Sequence, residues 1–504
     1  EQALLAARLL LWFCSSNHRA LRKRATLAAI KMLAGRAGVT CQLVTELHHV
    51  DDPYLVERLY AVAAGVAMRL PSGAGLSNLA DAVHSKVFAR EPITSNILIR
   101  DFAGCVMECS LAKDCLPAEI CPESFRPPFL SQWPSILSEA EVKRFEEDEE
   151  WFWILDSVRT EEMGNYGDFG RYVMEAKVHR FSDKPLSGDT PDSDYRVRFS
   201  GMVARRWVLQ RVEELGWSAE LFGEYEKKLP HGRMSYNNEE SKVERISKKY
   251  QWIALRELLG LLLDHYWVCS SWDSEPTTCI GAWQLSAREF DPSQQLHDYN
   301  AHKAPVDAER RSWEEAYPNP FEDKSLCGNR EAWVAMVPDD FSSLVQPVSR
   351  NDDLKGDWLA LAGHHEWVEP DYDRIISGHT GELMMWVNVR SYLVNKSDLD
   401  NFVEKVHVKN FWGNGCDFLE EHEGWIGEYP WGEVYRELRE YCDMPDRWIG
   451  DLNIAYTCTA CNWSEGGILI PSPQLCDLLN IYWVGEGGTF HNNEGEKVTD
   501  YFGG

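Results

Sequence analysis

One stretch constrains the fold of this chain more than any other: Ser241–Trp267, SKVERISKKYQWIALRELLGLLLDHYW. At about 100° per residue, Val243, Ile246, Tyr250, Ile253, Ala254, Leu258 and Leu261 share one face, and no proline interrupts the run. The pattern predicts one long helix. Its first half is amphipathic, with Lys242, Arg245, Lys248 and Lys249 expected to turn outward. Leu255, Leu259, Leu262 and Leu263 make the second half apolar nearly all round. Such a helix begins at a basic surface and ends between other layers, as the strut of its domain.

With 504 residues the chain exceeds a single hydrophobic core and is expected to divide into three or four domains of roughly 100–200 residues. Its first residues, EQALLAARLLLWF, already read as the inside of a helix, so the expectation is a piece of a longer polypeptide. An apolar content of 44% and an aromatic content of 12% exclude general disorder. The 14 cysteines follow no regular spacing and no secretory leader is visible, which fits a reduced, cytoplasmic setting. The longest apolar run, Leu258–Leu263, is far below the ~18 residues that span a bilayer, so no membrane partner is expected.

Charge is unevenly placed. Lys+Arg against Asp+Glu is 13 to 11 over residues 1–120, 21 to 27 over 121–267 and 17 to 42 over 268–504, giving net charges of +2, −6 and −25. The acidic C-terminal half repels nucleic acid and anionic membranes. Solubility is the plainer purpose of that charge.

The fold expectation is multidomain: an N-terminal all-α, HEAT-like helical array followed by mixed α+β domains. Within residues 1–116, helices are expected at Ala3–Cys14, Arg22–Leu33, Tyr54–Arg69, Leu76–Phe88 and Ile97–Leu111, with breaks at Gly35 and Gly38, Asp51-Asp52-Pro53, Pro71-Ser72-Gly73 and Pro92. Asp52 before Pro53 supplies a capping side chain and a first-turn proline. Residues 117–150 carry five prolines and then the acidic run Glu146–Glu150, and are read as an extended strap. Residues 151–267 form a mainly helical central domain: Asp168–Phe181 fits a strand or a buried helix, Ser182–Asp194 a surface loop, and Arg198–Leu215 a helix stopped by Gly216.

Residues 268–504 hold 13 of the 21 tryptophans and read as an acidic α+β region, in one or two subdomains. Strand-like pieces are Trp333–Val337, Trp358–Ala362, Leu383–Val389, Asn453–Tyr456 and Gly467–Ile470, and a hairpin or small sheet is expected within Asn480–Val498.

No complete catalytic motif is present. The phosphate-cradling G-x-x-x-x-G-K-[ST] string is absent, and Gly485-Glu486-Gly487-Gly488 and Gly413-Asn414-Gly415 are incomplete. Cys458 and Cys461 have the spacing of half a zinc knuckle without a second pair nearby, and His364-His365-Glu366 lacks a second helical histidine. One enzymatic pattern is worth carrying. Asp168 with Glu175 and Lys177 resembles the Asp…Glu-x-Lys arrangement of metal-dependent nucleases, where two carboxylates hold a divalent ion and the lysine orients water. Ordinary packing of Phe169, Tyr172, Val173 and Val178 accounts for the same residues. Arg205, Arg206, Lys242, Arg245, Lys248 and Lys249 could together form an anion- or partner-binding surface. Pairing with the protein's own carboxylates is the competing reading.

Several strings are familiar together: Leu21-Arg-Lys-Arg-Ala-Thr, Asp51-Asp-Pro-Tyr-Leu-Val-Glu-Arg-Leu, Gly167-Asp-Phe-Gly-Arg-Tyr-Val, Glu244-Arg-Ile-Ser-Lys-Lys-Tyr-Gln-Trp-Ile-Ala, and the closing Pro471-Ser-Pro-Gln-Leu to Gly485-Glu-Gly-Gly-Thr-Phe. They resemble the C-terminal region of very large bacterial ATP-binding proteins of the STAND class, related to AVAST-type and NACHT-type antiphage NTPases. The resemblance spans most of the chain. It implies a sensor part that follows an effector and a nucleotide-binding module, so no catalytic residue is carried over and no cofactor is expected in this stretch. The implied partner is a protein, phage-encoded in a defence setting, with self-association of the full-length protein. The leading expectation is therefore a non-catalytic protein-binding module. A metal-dependent nuclease and a purely structural scaffold are the alternatives.

Overall fold

A computed structural model describes residues 1–164, 167–191, 197–228, 243–269, 276–278, 288, 291–293, 349–352, 356–368, 384–408, 425–428, 431–432, 454–456, 458–461, 468–484 and 490–499. The chain divides into two compact units, Glu1–Leu296 with Pro430–Glu433, and His297–Tyr429 with Val434–Gly504.

The first unit begins with six helices: α1 Gln2–Phe13, α2 Arg19–Leu33, α3 Ala37–Leu47, α4 Pro53–Arg69, α5 Ala74–Val87 and α6 Ile97–Ala112. They form three hairpins, α1/α2, α3/α4 and α5/α6, stacked so that α1, α3 and α5 make one layer and α2, α4 and α6 the other. α3 was not anticipated from sequence. Gly38 was read as a break but lies inside this helix; Gly35, at φ +73°, alone makes the turn that precedes it.

Each helix of the second layer starts on a side-chain cap. His18 Nδ1 accepts from Leu21 N at 3.4 Å, Asp52 Oδ1 from Tyr54 N at 3.0 Å, and Asn96 Oδ1 from Leu98 N at 3.0 Å. α4 is buried along nearly its whole length, as the middle member of its layer must be.

Of the extended strap expected over residues 117–150, residues 128–138 run without helix, strand or turn. Pro122–Ser124 form a 3-10 turn and Glu139–Glu146 a helix capped by Ser138, so the strap is shorter than the prolines and acidic run suggested. Phe129 stacks on Phe88 at 5.8 Å between centroids, and its N–H donates to Asp264 Oδ1 at 2.9 Å. There follow α7 Glu139–Glu146, α8 Phe152–Ser157, a π-helical stretch Phe169–Glu175 that continues into the single turn α9 Ala176–Val178, α10 Gly201–Glu214, α11 Ala219–Lys228 and α12 Ile246–His265. Of the two readings of Asp168–Phe181, the helical one holds.

Residues 182–185, expected as loop, belong instead to strand β1 Phe181–Pro185. It pairs antiparallel with β2 Tyr266–Val268, which follows α12 directly. Phe181 is fully buried in that pairing, and the apolar anchor outweighs the polar residues after it.

The organising helix exists, but it starts at Ile246 rather than Ser241. Val243 lies outside it, in an isolated bridge to His18, and is half exposed. At about 30 Å long, α12 crosses the starts of α2, α4 and α6 in turn. Its first turn meets Ser15 O and Asp52, its middle meets Glu57, and its last turns meet Arg100. Its opposite side packs on α10, where Trp207 Nε1 donates to Ala254 O at 2.8 Å and Arg211 pairs with Glu257. Segments 1–116, 117–150 and 151–267 consequently share one continuous hydrophobic core.

In the second unit the described residues form short antiparallel pairs. These are β3 Ser349–Asp352 with β4 Gly356–Leu359, β5 Ala362–Val368 with β6 Met384–Arg390, β7 Tyr392–Val394 with β8 Ile454–Tyr456, β9 Cys458–Cys461 with β10 Ile468–Pro471, and β11 Ile481–Trp483 with β12 Phe490–Asn492. Helices α13 Leu399–Val408 and α14 Pro473–Leu479 accompany them. The strand expected across Trp358–Ala362 is two strands, broken at residues 360–361, and the one at Trp333–Val337 lies outside the described residues. The hairpin expected within Asn480–Val498 is the β11/β12 pair. The molecule is thus mostly helical with a few small sheets, and among the described residues no helix is long and apolar enough to cross a membrane.

Candidate functional site

The strut helix seats on an unusual number of buried charges. Arg22, Glu57, Arg58, Arg100, Asp101, Arg256 and Asp264 are all buried, and the first five stand in the first two turns of α2, α4 and α6. Arg256 Nη1 donates to Glu57 Oε2 at 2.6 Å, and Arg100 donates to both oxygens of Asp264, at 3.1 and 2.9 Å. Arg22, Lys249 and Arg256 also lie over the Tyr54 ring, at 4.4, 5.1 and 5.2 Å from its centroid. Burying charges this deeply is tolerable because each sits against an opposite charge or an aromatic face. The seam fixes register; its groups are committed to one another.

That arrangement corrects the basic surface expected from sequence. Lys249 Nζ donates to Asp52 Oδ2 at 2.8 Å and to Ser15 O at 3.0 Å, and Arg245 lies over the Trp153 ring. Arg205 is buried and bonded to Glu146 at 3.0 Å, while Arg206 reaches Glu139 at 3.5 Å. Lys248 turns inward as well. Lys242 lies outside the described residues. Helical spacing alone could not reveal that the exposed-looking face of α12 would be covered by the array on one side and by α8 on the other.

The nuclease-like residues also have separate assignments. Glu175 is buried, accepts from Glu161 N at 3.0 Å, and sits so close to Gly201, the first residue of α10, that a Cβ there would come within 2.5 Å of its Oε1. Burial pushes its carboxyl pKa up, opposed by the Glu161 amide. Asp168 acts instead on Lys248. Lys177 stands in the single turn α9. Among the described residues, no group of three or more His, Cys, Asp or Glu side chains is placed to hold a metal.

A compact polar site does form where α8, the π-helical stretch and the first turn of α12 meet. Ser157 Oγ donates to Gln251 Oε1 at 2.9 Å; Lys248 Nζ donates to Ser157 Oγ, and to Gln251 Oε1 at 3.2 Å. The lysine ammonium lies 4.3 Å from the centroid of Phe169, whose ring meets Trp252 edge-on at 5.1 Å.

The string Gly167-Asp168-Phe169-Gly170 explains how these groups converge. A Cβ at Gly167 would lie 2.1 Å from Asp156 O, and one at Gly170 1.9 Å from Arg159 O, so only glycine lets the two backbones touch. Gly167 N donates to Arg159 O at 3.1 Å and locks the contact. Desolvation lowers the Lys248 pKa to about 8, with Glu244 and Asp168 pulling it up and Arg245 and Arg19 pushing it down. Sequence reading did not single out Ser157 or Gln251; the glycine pair was the available signal.

No family model, curated protein or solved structure matches this chain.

Proposed function

We propose that the chain is a protein-binding sensor or scaffold module, HEAT-like in its first part, from a larger bacterial STAND-type NTPase acting in antiphage defence. The observation that supports this reading is the two-layer stack of helix hairpins and what it leaves uncovered. On α1, Leu5, Leu9 and Trp12 are each more than half exposed, and Phe13 is nearly so. Their spacing of four, three and one residues makes a continuous apolar seam on the outer side of the first hairpin. Stacked hairpins bury such seams against the next hairpin, and an exposed apolar patch marks a surface that another protein element covers. The acidic C-terminal part would steer a basic partner toward its binding surface.

The test is the reading frame upstream of Glu1 in the source DNA. Continuation into further helical hairpins and a P-loop module is the expected result. A start codon immediately ahead of Glu1 would overturn the proposal.

A further inference from the structure

The site around Ser157 has a composition that neither the seam nor a binding role requires. A hydroxyl and a primary amine are hydrogen-bonded to each other, and one amide oxygen, Gln251 Oε1, accepts from both. The amine rests on an aromatic face instead of being matched by a bonded carboxylate. Both side chains retain partial exposure to solvent. This is the geometry of an activated nucleophile: a hydroxyl within reach of a base, and the base itself oriented by a third group.

We propose that Ser157 and Lys248 form a nucleophile–base pair that accepts an acyl group from an activated ester, with Gln251 as the positioning residue. Once Lys248 is neutral, the Ser157 hydroxyl turns its proton from Gln251 Oε1 to Nζ, and Nζ takes that proton while Oγ bonds to the carbonyl carbon. The ester C–O bond then breaks, and the departing alkoxide receives that proton from Lys248. Water, deprotonated by the same amine, attacks acyl-Ser157, releases the carboxylic acid and restores the serine. Gln251 Oε1 holds the amine throughout, because it accepts an N–H from Lys248 in either protonation state.

Burial where α8, the π-helical stretch and α12 meet supplies the desolvation that lets the amine lose its proton near neutral pH. The charged groups around it, Glu244 and Arg245 ahead of α12, Asp168 just ahead of the π-helical stretch and Arg19 on α2, number two of each sign. The close approach at Gly167 and Gly170 holds the π-helical stretch against the end of α8, which carries Ser157.

The experiment exposes the whole chain to p-nitrophenyl acetate and to a fluorophosphonate ester, and maps adducts by mass spectrometry. The expected result is a single adduct on Ser157, forming faster as pH rises and levelling off with a midpoint near 8. Ser157→Ala, folded by circular dichroism, gives no adduct. Lys248→Met slows labelling by about a hundredfold, and Gln251→Glu moves the midpoint upward by placing a carboxylate beside the amine.

Should Ser157→Ala fail to fold, Ser157→Cys takes its place. Its thiol is alkylated by iodoacetamide with a depressed pKa that Lys248→Met restores to the usual thiol range. An adduct that persists in Ser157→Ala, acetylation of Lys248 in place of Ser157, an unlabelled wild-type chain, or a Ser157→Cys thiol that titrates normally would overturn the proposal.

Discussion

Asp264 ties three separate parts of the fold together through one carboxylate. It is buried, accepts two bonds from Arg100, and accepts the Phe129 amide at 2.9 Å, so one carboxylate ties α12 to α6 and to the extended strap. Removing it leaves a buried guanidinium without its counter-charge, and burial already depresses the Arg100 pKa. Asp264→Ala is expected to cost about 3–5 kcal/mol in a denaturant titration. A loss under about 1 kcal/mol would show that water reaches Arg100.

Lys248 gives the opposite sign. Its folded pKa, about 8, lies below the ordinary 10.5, so the folded state releases the proton first. The side chain therefore favours folding fully only above about pH 10.5, loses that contribution as pH falls toward 8, and burdens the fold at neutral pH. Lys248→Met is expected to stabilise the chain by about 1–2 kcal/mol at pH 7, with the difference shrinking between pH 8 and 10.5. A pH-independent difference would point to packing instead of charge. Neither residue announced these roles in the sequence. An aspartate near the end of an apolar helix and a lysine at its start look alike whether solvated or buried, because periodicity reports which face a residue is on and not what lies opposite.

At the scale of elements, helix existence was legible and helix surroundings were not. Five of the six array helices follow from Pro, Gly and capping residues, within three residues at their ends. α3 escaped because Gly35 and Gly38 looked like one break, whereas only Gly35 needs a positive φ. Gly260 shows what a mid-helix glycine is for: a Cβ there would lie 1.8 Å from Ser95 O, where the chain enters α6. Gly260→Ala cannot be relieved by a side-chain rotation and is expected to lose about 3 kcal/mol or more, read as a lower thermal midpoint. An unchanged midpoint would mean that α12 and the α6 start slide apart freely. The candidate site was legible only in part. Asp168 and Glu175 were picked for a shared spacing, but the helix carrying Phe169–Glu175 has π geometry, and the two carboxylates serve different neighbours.

For the whole molecule, a net charge of −29 implies self-repulsion that salt relieves. The buried pairs of the seam are screened much less than surface charges. Raising ionic strength from low to physiological is expected to raise the thermal midpoint, and a fall would mean that exposed ion pairs, such as Arg144–Glu213, outweigh the repulsion. Mapping charge onto segments was within reach of the sequence. The sharing of one core by residues 1–267 was not, since it depends on contacts between positions up to 234 residues apart, such as Lys249 with Ser15.

Stacked hairpins, each touching only its neighbours, open from their ends, so amide exchange in such an array is fastest at the terminal repeat and slows inward. α12 changes that expectation, because its single span is bonded at once to the connection between α1 and α2 and to the starts of α4 and α6. No one hairpin can leave without breaking a contact of the helix that holds the other two. The backbone amides of α2, α4 and α6 should therefore exchange as one cooperative block, with a common opening free energy, instead of in a graded series.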